Sequence, residues 1–451
     1  MTHADEATLS DLAAKVAAEA QGGEQVEAFV GSSTSTSVKV HGGEIESLTQ
    51  ATTAGIGVRV VREGRQGFAY AGTLDPAVIA EVLAEARDNA AYAQPEDWVG
   101  LAAPDGVGPA EVDLWRDALV AMPTDRKVAL ALELERAVRA RDSRIAGVRV
   151  AQWGDGSGAA AVATSTGIAV SGRSTFCHLS VQALAEADGE TTTGYGVSVG
   201  REPGDVAVDE AADDAAERAT RLLGAVKPAT GPVTVVLEPR MAATILGVVA
   251  GMLNGESVLK GRSPFAERVG HQIASPLLTL VDDPTDPRSL GADSHDGEGL
   301  ATRRVPLIDA GVLQGFLHNT ATGRRAGVPS TASAVRGYRT TPGVGAQALA
   351  VTPGRGALDE LIAGVDRGVL VQSMTGLHSG VNRVSGDFSV GIEGLMVRGG
   401  SRAEPVREAT VASTVQRLLL DISAVGGELE WTPGGAGSVA LVIPDVTLSG
   451  A

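Results

Sequence analysis

The sequence has little of what disulfide frameworks, cysteine-based metal cages and stacking surfaces are made from. Its 451 residues include one cysteine, four tryptophans, four tyrosines and six phenylalanines. A single cysteine excludes a disulfide framework and any zinc or iron–sulfur cage built from several cysteines of this chain. Aromatic residues make up only 3% of the sequence, so stacking platforms for single-stranded nucleic acid are scarce.

Long apolar segments are also missing. The longest runs from Met241 to Leu253, which is shorter than the ~20 residues that cross a bilayer. The first ten residues, MTHADEATLS, are acidic and polar and have neither the basic region nor the apolar segment of a signal peptide. We therefore expect a cytoplasmic protein without a membrane partner.

The sequence has fewer positively charged residues than negatively charged ones. Lysine and arginine total 37 against 55 aspartate and glutamate residues, which gives a formal net charge of −18. Proteins that bind nucleic acid obtain much of their affinity from a basic face that neutralises phosphates. The composition therefore predicts no nucleic-acid partner.

The hydrophobic pattern predicts an α+β fold. Antiparallel strand meanders flanked by helices are expected in the N-terminal half, and a mixed, β-rich domain with long glycine-rich loops in the C-terminal half. Proline-rich connectors divide the chain. They suggest an N-terminal α+β domain over 1–112, a central strand-rich domain over 113–227 and a C-terminal domain over 228–451.

The two strand-rich segments suggest a doubled architecture. The first, Val26 to Tyr70, is predicted to hold four or five strands, and the second runs from Ile145 to Val199. A helix is also expected from about Val411 to Ile422. Glycine-containing turn signals are predicted at 42–43, 55, 63–64, 154–156 and 188–189.

Motifs that carry chemistry are rare in this sequence. No two of its seven histidines have the spacing of a zinc-binding helix pair. The acidic loop Asp293–Gly299 is rich in candidate ligand atoms but lacks the spacing of an EF-hand, so we interpret it as a polar turn rather than a metal or substrate site. Cys177 and His178 point to opposite faces of a predicted strand, so Cys177 is expected to be a small core residue.

Several runs in the C-terminal half are similar to the TldD/PmbA (TldE) family, and a weaker similarity reaches the N-terminal meander. The runs occur in the family's order and make the resemblance specific. They are Leu253–Phe265, Gly270–Ser275, Leu280–Pro284, Asp296–Gly299 with Thr302, Ile308–Leu313, and Ser385–Ser389 followed by Gly394–Val397.

The resemblance implies a cytosolic metallopeptidase system that degrades or trims peptides. Its TldD type carries His-Glu-x-x-x-His on a helix and a cysteine ligand in a later glycine-rich loop. When the family motif is aligned at Leu253–Glu256, the position of its first histidine is occupied by Leu246 in this sequence. The position of the glutamate is occupied by Gly247, and that of the second histidine by Gly251. The later loop, Met374–Gly380, has no cysteine.

The chain therefore resembles the PmbA/TldE type. On this basis we expect no catalytic residue, no metal ligand and no cofactor on this chain, with zinc on a TldD-like partner subunit and a peptide as substrate. Five residues are candidates for loops that face the chamber or the partner: Glu256, Asp296, Glu298, His378 and Asp387. Two alternatives stay open, a non-proteolytic protein-binding modulator of the gyrase-modulator kind and an independent hydrolase that uses the Asp293–Glu298 loop.

Overall fold

The computed structural model describes residues 5–450 and shows an α+β fold. Its N-terminal half is one antiparallel sheet in the order β3-β2-β1-β4-β5-β6, with helices packed on one face. The order α-β-β-β-α occurs twice along the chain, which confirms the doubled architecture. The elements of this half are α1 Glu6–Ala18, β1 Gln25–His41, β2 Glu44–Arg62, β3 Arg65–Ala71, α2 Pro76–Tyr92, α3 Asp117–Val120, α4 Thr124–Arg141, β4 Ile145–Thr164, β5 Ala169–Ala187, β6 Glu190–Gly200 and α5 Val208–Thr220.

Two of the predicted turns are wrong, and the first meander has three long strands instead of four or five. Gly55 lies inside β2, and residues 154–156 lie inside β4. These glycines make room for aromatic rings: a Cβ atom at Gly55 would be 2.4 Å from the ring of Tyr338, and one at Gly156 2.4 Å from the ring of Phe176. At these positions glycine allows another part of the chain to pack closely against a strand, and it does not mark a turn.

Because successive side chains of a strand point to opposite faces, the sheet has one face that packs against the helices and another that is free of them. Along β1, Val26, Ala28 and Val30 pack into the core beneath α1 and α2, so Glu27 and Phe29 point to the opposite face. A second core beneath α4 and α5 contains Cys177. The face without helices is therefore the one that meets the C-terminal half.

The C-terminal half is built around a closed sheet. Its order is β16-β15-β14-β7-β20-β17, and an additional pairing of β16 with β20 closes it into a barrel. A second sheet runs β10-β9-β8-β13-β19-β18, and β11 pairs with β12. The strands are β7 Gly231–Leu237, β8 Leu280–Asp282, β9 Val305–Asp309, β10 Val312–Leu313, β11 Ala334–Val335, β12 Gly343–Val344, β13 Leu349–Val351, β14 Arg367–Thr375, β15 Asp387–Arg398, β16 Ser401–Thr414, β17 Ala424–Val425, β18 Glu430–Trp431, β19 Gly437–Ser438 and β20 Leu441–Ser449.

The helices of this half are short, apart from one that contacts the barrel. The helices are α6 Pro239–Met252, α7 Gly255–Leu259, α8 Thr320–Ala326, α9 Leu358–Ala363, α10 Leu377–Gly380 and α11 Val415–Leu420. The helix expected from Val411 begins only at Val415, because β16 continues to Thr414, whose side chain accepts a hydrogen bond from the N–H of Arg417 at the start of α11. Within residues 5–450, no helix is long and apolar enough to cross a membrane.

Candidate functional site

The two halves meet through a buried quartet of charged side chains: Glu27, Arg59, Glu298 and Arg336. Arg59 donates to both carboxylate oxygens of Glu27, from Nη2 to Oε2 at 2.7 Å and from Nε to Oε1 at 3.0 Å. Its Nη2 also lies 3.4 Å from Oε1 of Glu298. Arg336 donates to Oε1 of Glu27. Each of these side chains is at most 3% exposed.

The quartet is electrically balanced, with two carboxylates and two guanidinium groups. Burial opposes the ionisation of Glu27, but the guanidinium groups of Arg59 and Arg336 hold its pKa below the ordinary value. The second oxygen of Glu298 accepts the backbone N–H of Thr320 at 2.8 Å, at the first residue of α8. Glu298 thereby ties the N-terminal sheet to a C-terminal helix.

Asp296 supports the same junction from within its loop. Its Oδ1 accepts the N–H groups of Glu298 at 2.9 Å and Leu300 at 3.0 Å, and its Oδ2 accepts the N–H of Ala334 at 3.0 Å. Burial raises the pKa of Asp296 to about 7, and the neighbouring Glu298 adds to the rise. The structure therefore brings Asp296 and Glu298 together inside the junction, where their oxygens accept hydrogen bonds from other groups of the chain.

Two open cavities lie beside this quartet, between the helix-free face of the sheet and the C-terminal loops. The larger junction cavity has a volume of about 450 Å³ and the smaller about 210 Å³. The two cavities are adjacent and share part of their lining, which consists of Phe29, Ala160, Ser171, Gly172 and Asp293. Such volumes suit small molecules or short segments of chain.

The helix α6 occupies the place where the resemblance would put a zinc motif. Leu246 is 1% exposed and packs in the barrel core. A Cβ atom at Gly247 would meet nothing within 4 Å, and one at Gly251 would lie 3.6 Å from Nη1 of Arg383. None of the three α6 residues offers a side-chain atom that could bind zinc or activate a water molecule, so the group does not fit this helix.

The other predicted site residues lie on the surface near α6 and the loop that follows β14. Glu256 is exposed on α7 and pairs with Lys260. His378 is exposed on α10, and Asp387 is exposed at the start of β15, where it accepts the hydroxyl of Ser385 at 2.6 Å. Among the described residues, no hydrogen bond or ion pair joins these three to one another or to the Asp296–Glu298 pair.

Neither a metal cluster nor a reactive thiol emerges from the described part of the chain. Residues 5–450 contain no group of three or more His, Cys, Asp or Glu side chains that could hold a metal ion. Cys177 is fully buried, as its sequence context predicted, and burial raises its pKa to about 12. A thiol with such a pKa is not a nucleophile near neutral pH.

Sequence reasoning missed three members of the quartet, Glu27, Arg59 and Arg336. The one local signal is a charged residue at an inward position of an otherwise apolar strand, as at Arg59 in the run Ile56–Val61. The pairing itself could not be inferred, because Arg336 lies 309 residues from Glu27 in the sequence.

Three domain models of one protein family match this chain in order. They are the PmbA/TldA metallopeptidase domain 1 over residues 26–90, the central domain over 117–223 and the C-terminal domain over 230–450. The chain belongs to the PmbA/TldD metallopeptidase family.

Individual relatives agree with this assignment. The chain is 26% identical to metalloprotease PmbA of Escherichia coli O157:H7 over 429 residues, which cover 94% of this chain and 92% of the relative. A Bacteroides thetaiotaomicron crystal structure, described as a candidate modulator of DNA gyrase, superposes with a TM-score of 0.88 at 26% identity and 99% coverage of both chains. TldE from Thermococcus kodakarensis shares the fold, with a TM-score of 0.88 at 22% identity and coverage of 94% of this chain and 97% of TldE.

Proposed function

We propose that this PmbA/TldD family chain is the non-metal-binding subunit of a TldD/TldE-type heteromeric metallopeptidase that degrades or trims peptides in the cytosol. In this proposal zinc is bound by a TldD-like partner, and this chain shapes and closes the chamber in which the peptide is cut. The observation that carries the proposal is the chemistry of α6. In this chain, Leu246, Gly247 and Gly251 stand on α6 at the positions that the family resemblance matches to the zinc motif.

The surroundings of α6 support a role in assembly. The loop between α10 and β15 returns to this helix, because Nη1 of Arg383 lies 3.6 Å from the Cβ position of Gly251. Arg383 is exposed and has no hydrogen-bond or ion-pair partner among residues 5–450. A free guanidinium beside a helix face without bulky side chains suits contact with acidic or carbonyl groups of another chain. The loops near 254–270 and 374–391 are therefore our choice for the partner-facing surface.

The decisive experiment is copurification from the native host followed by metal analysis. We expect this chain alone to contain no stoichiometric zinc and to cleave no peptide, and we expect a complex with a His-Glu-x-x-x-His paralogue to contain zinc and cleave. One equivalent of tightly bound zinc together with peptide cleavage by the isolated chain, in a preparation free of host proteases, would refute the proposal.

Paired variants test the choice of surface. Arg383→Glu reverses the free charge next to α6 and should weaken assembly at least tenfold, whereas Arg62→Glu, at an exposed residue at the end of β2, should not. Equal assembly of both variants would show that the partner binds elsewhere.

The hydrolase alternative has less support from the geometry. A hydrolase of this kind needs two carboxylates that can reach a substrate, but of the three acidic residues in the loop only Asp293 is exposed, whereas Asp296 is 4% exposed and Glu298 is completely buried. Both have oxygens already bonded to backbone N–H groups of the chain. The modulator alternative predicts copurification with a protein that is not a peptidase, so the same experiment decides it.

A further inference from the structure

The larger junction cavity contains one carboxylate that forms no ion pair in the described part of the chain. Two carboxylates that line the larger cavity form ion pairs. Oε2 of Glu6 lies 3.8 Å from Nε of Arg173, and Oδ2 of Asp113 lies 3.0 Å from Nη1 of Arg116. The remaining charged side chain of that cavity is Asp293. Within residues 5–450, no lysine, arginine or histidine nitrogen lies within ion-pair distance of its carboxylate. The guanidinium of Arg201 lies beyond that distance and donates to the backbone carbonyls of Thr175 and Ser289. Its charge offsets only part of the effect of burial on the pKa of Asp293.

The smaller cavity supplies no cation for Asp293 either. Arg336 is engaged by Glu27, and the Asp296 carboxylate is satisfied by three backbone N–H groups. His295 shares its Nδ1 with the hydroxyl of Ser294 at 2.9 Å, and burial lowers its pKa, which favours the neutral ring. The wall that both cavities share therefore presents a carboxylate and no free positive charge.

Asp293 is reachable from the cavity and yet surrounded by protein. Its side chain is exposed to the cavity, and its Oδ1 accepts a long hydrogen bond, 3.3 Å, from the N–H of His295. The enclosing walls remove much of the bulk water that would solvate the charge, and this desolvation raises the pKa of Asp293. An unpaired carboxylate in such a place gains most from a cation that a ligand brings with it.

Part of the larger cavity is lined by strand residues that have no side chain. On the strands that face the cavity, Gly31, Gly158 and Gly172 carry no side chain. The hydroxyl groups of Ser33 and Thr53 bond to each other at 2.9 Å and leave acceptor positions toward the space above. A short extended chain with polar groups along its backbone fits a lining of this kind.

We propose that the junction cavities bind the free amino terminus of a short peptide, with its ammonium group on Asp293. The choice of a peptide as the source of the ammonium rests on the function proposed above, whereas the preference for a cation rests on the charges of the cavity alone.

Titration calorimetry on the full chain without any partner tests this site. The probes are the dipeptide Ala-Ala, its N-acetylated form and propylamine. We expect Ala-Ala to bind, N-acetylation to weaken binding at least tenfold because it removes the ammonium, and propylamine to bind at least tenfold more weakly because it lacks the peptide backbone. Asp293→Asn should also cost at least tenfold, although it keeps the Oδ1 acceptor for His295. The matched control is Asp88→Asn, at an exposed residue of α2 away from both cavities, and it should bind as the unaltered chain does.

Several results would overturn the site. These are no binding of Ala-Ala at 10–20 mM (an order-of-magnitude ceiling for weak ligands), equal binding of the acetylated dipeptide, or undiminished binding to Asp293→Asn. Propylamine binding as tightly as Ala-Ala would overturn the assignment to a peptide. Because no partner or turnover is involved, failure here is separate from failure of the subunit proposal, which the copurification experiment decides.

Discussion

Removal of one carboxylate from the buried quartet should destabilise the whole chain. The change is Glu27→Gln, which keeps the size of the side chain and removes its charge. Arg59 would retain Glu298 and the amide oxygen of Gln66 at 3.4 Å. Arg336 would lose its single ionic partner, although its side chain is 0% exposed and its Nε and Nη2 atoms already have no hydrogen-bond partner.

The size of the expected destabilisation follows from the unpaired charge of Arg336. Breaking a buried ion pair by removing one partner typically costs 3–5 kcal/mol, because it leaves an uncompensated buried charge. A glutamine oxygen can still accept one of the former bonds, so we expect a loss of about 3 kcal/mol in the free energy of unfolding. The double variant Glu27→Gln with Arg336→Met restores neutrality and should be more stable than the single variant.

Urea denaturation followed by circular dichroism measures these differences. The control is Glu404→Gln, which breaks the exposed pair of Glu404 with Arg398 and should leave the unfolding midpoint unchanged. A Glu27→Gln protein within about 1 kcal/mol of the unaltered chain would refute the reasoning, given the cost expected for a broken buried pair. So would a double variant that is less stable than the single one.

Three further predictions concern single positions. Burial raises the pKa of Asp296 from 3.8 to about 7, so between those pH values the folded chain holds a proton that the unfolded chain has released. The free energy of unfolding should therefore fall by up to about 1.4 kcal/mol per pH unit as the pH rises through that range. Denaturation at pH 5 and pH 7 should show a smaller fall for Asp296→Asn, and identical slopes would contradict this. Cys177→Ala should cost at most ~1–2 kcal/mol and leave peptidase activity of the complex intact, and loss of that activity in a folded protein would reveal a chemical role for the thiol. Gly57→Ala should cost about 1–3 kcal/mol in thermal unfolding, since its Cβ would lie 2.3 Å from the carbonyl oxygen of Tyr338, whereas Gly108→Ala, with nothing within 4 Å, should be neutral.

Local signals in the sequence were sufficient for most of the N-terminal half. The glycine turns at 42–43, 63–64 and 188–189 lie where predicted, and the helix beginning at Pro76 has Asp75 as its cap, whose side chain accepts the N–H of Ala77 at 2.8 Å. These features depend on residues within a few positions of each other. The errors at Gly55 and at residues 154–156 share one cause, because the aromatic rings that require those glycines lie on other strands or loops.

The acidic motif Asp296–Gly299 shows why density of ligand atoms is a poor guide to a site. Asp296 accepts the N–H groups of Glu298 and Leu300 and fixes the turn. Gly299 has a φ of +80°, a conformation that favours glycine, and a Cβ there would be 2.6 Å from Ile168 of the other half. Glu298 completes the charged junction. Asp296, Glu298 and Gly299 are thus each used in contacts between or beside the two halves, which gives the acidic loop a structural role in a chain with no zinc ligands on α6.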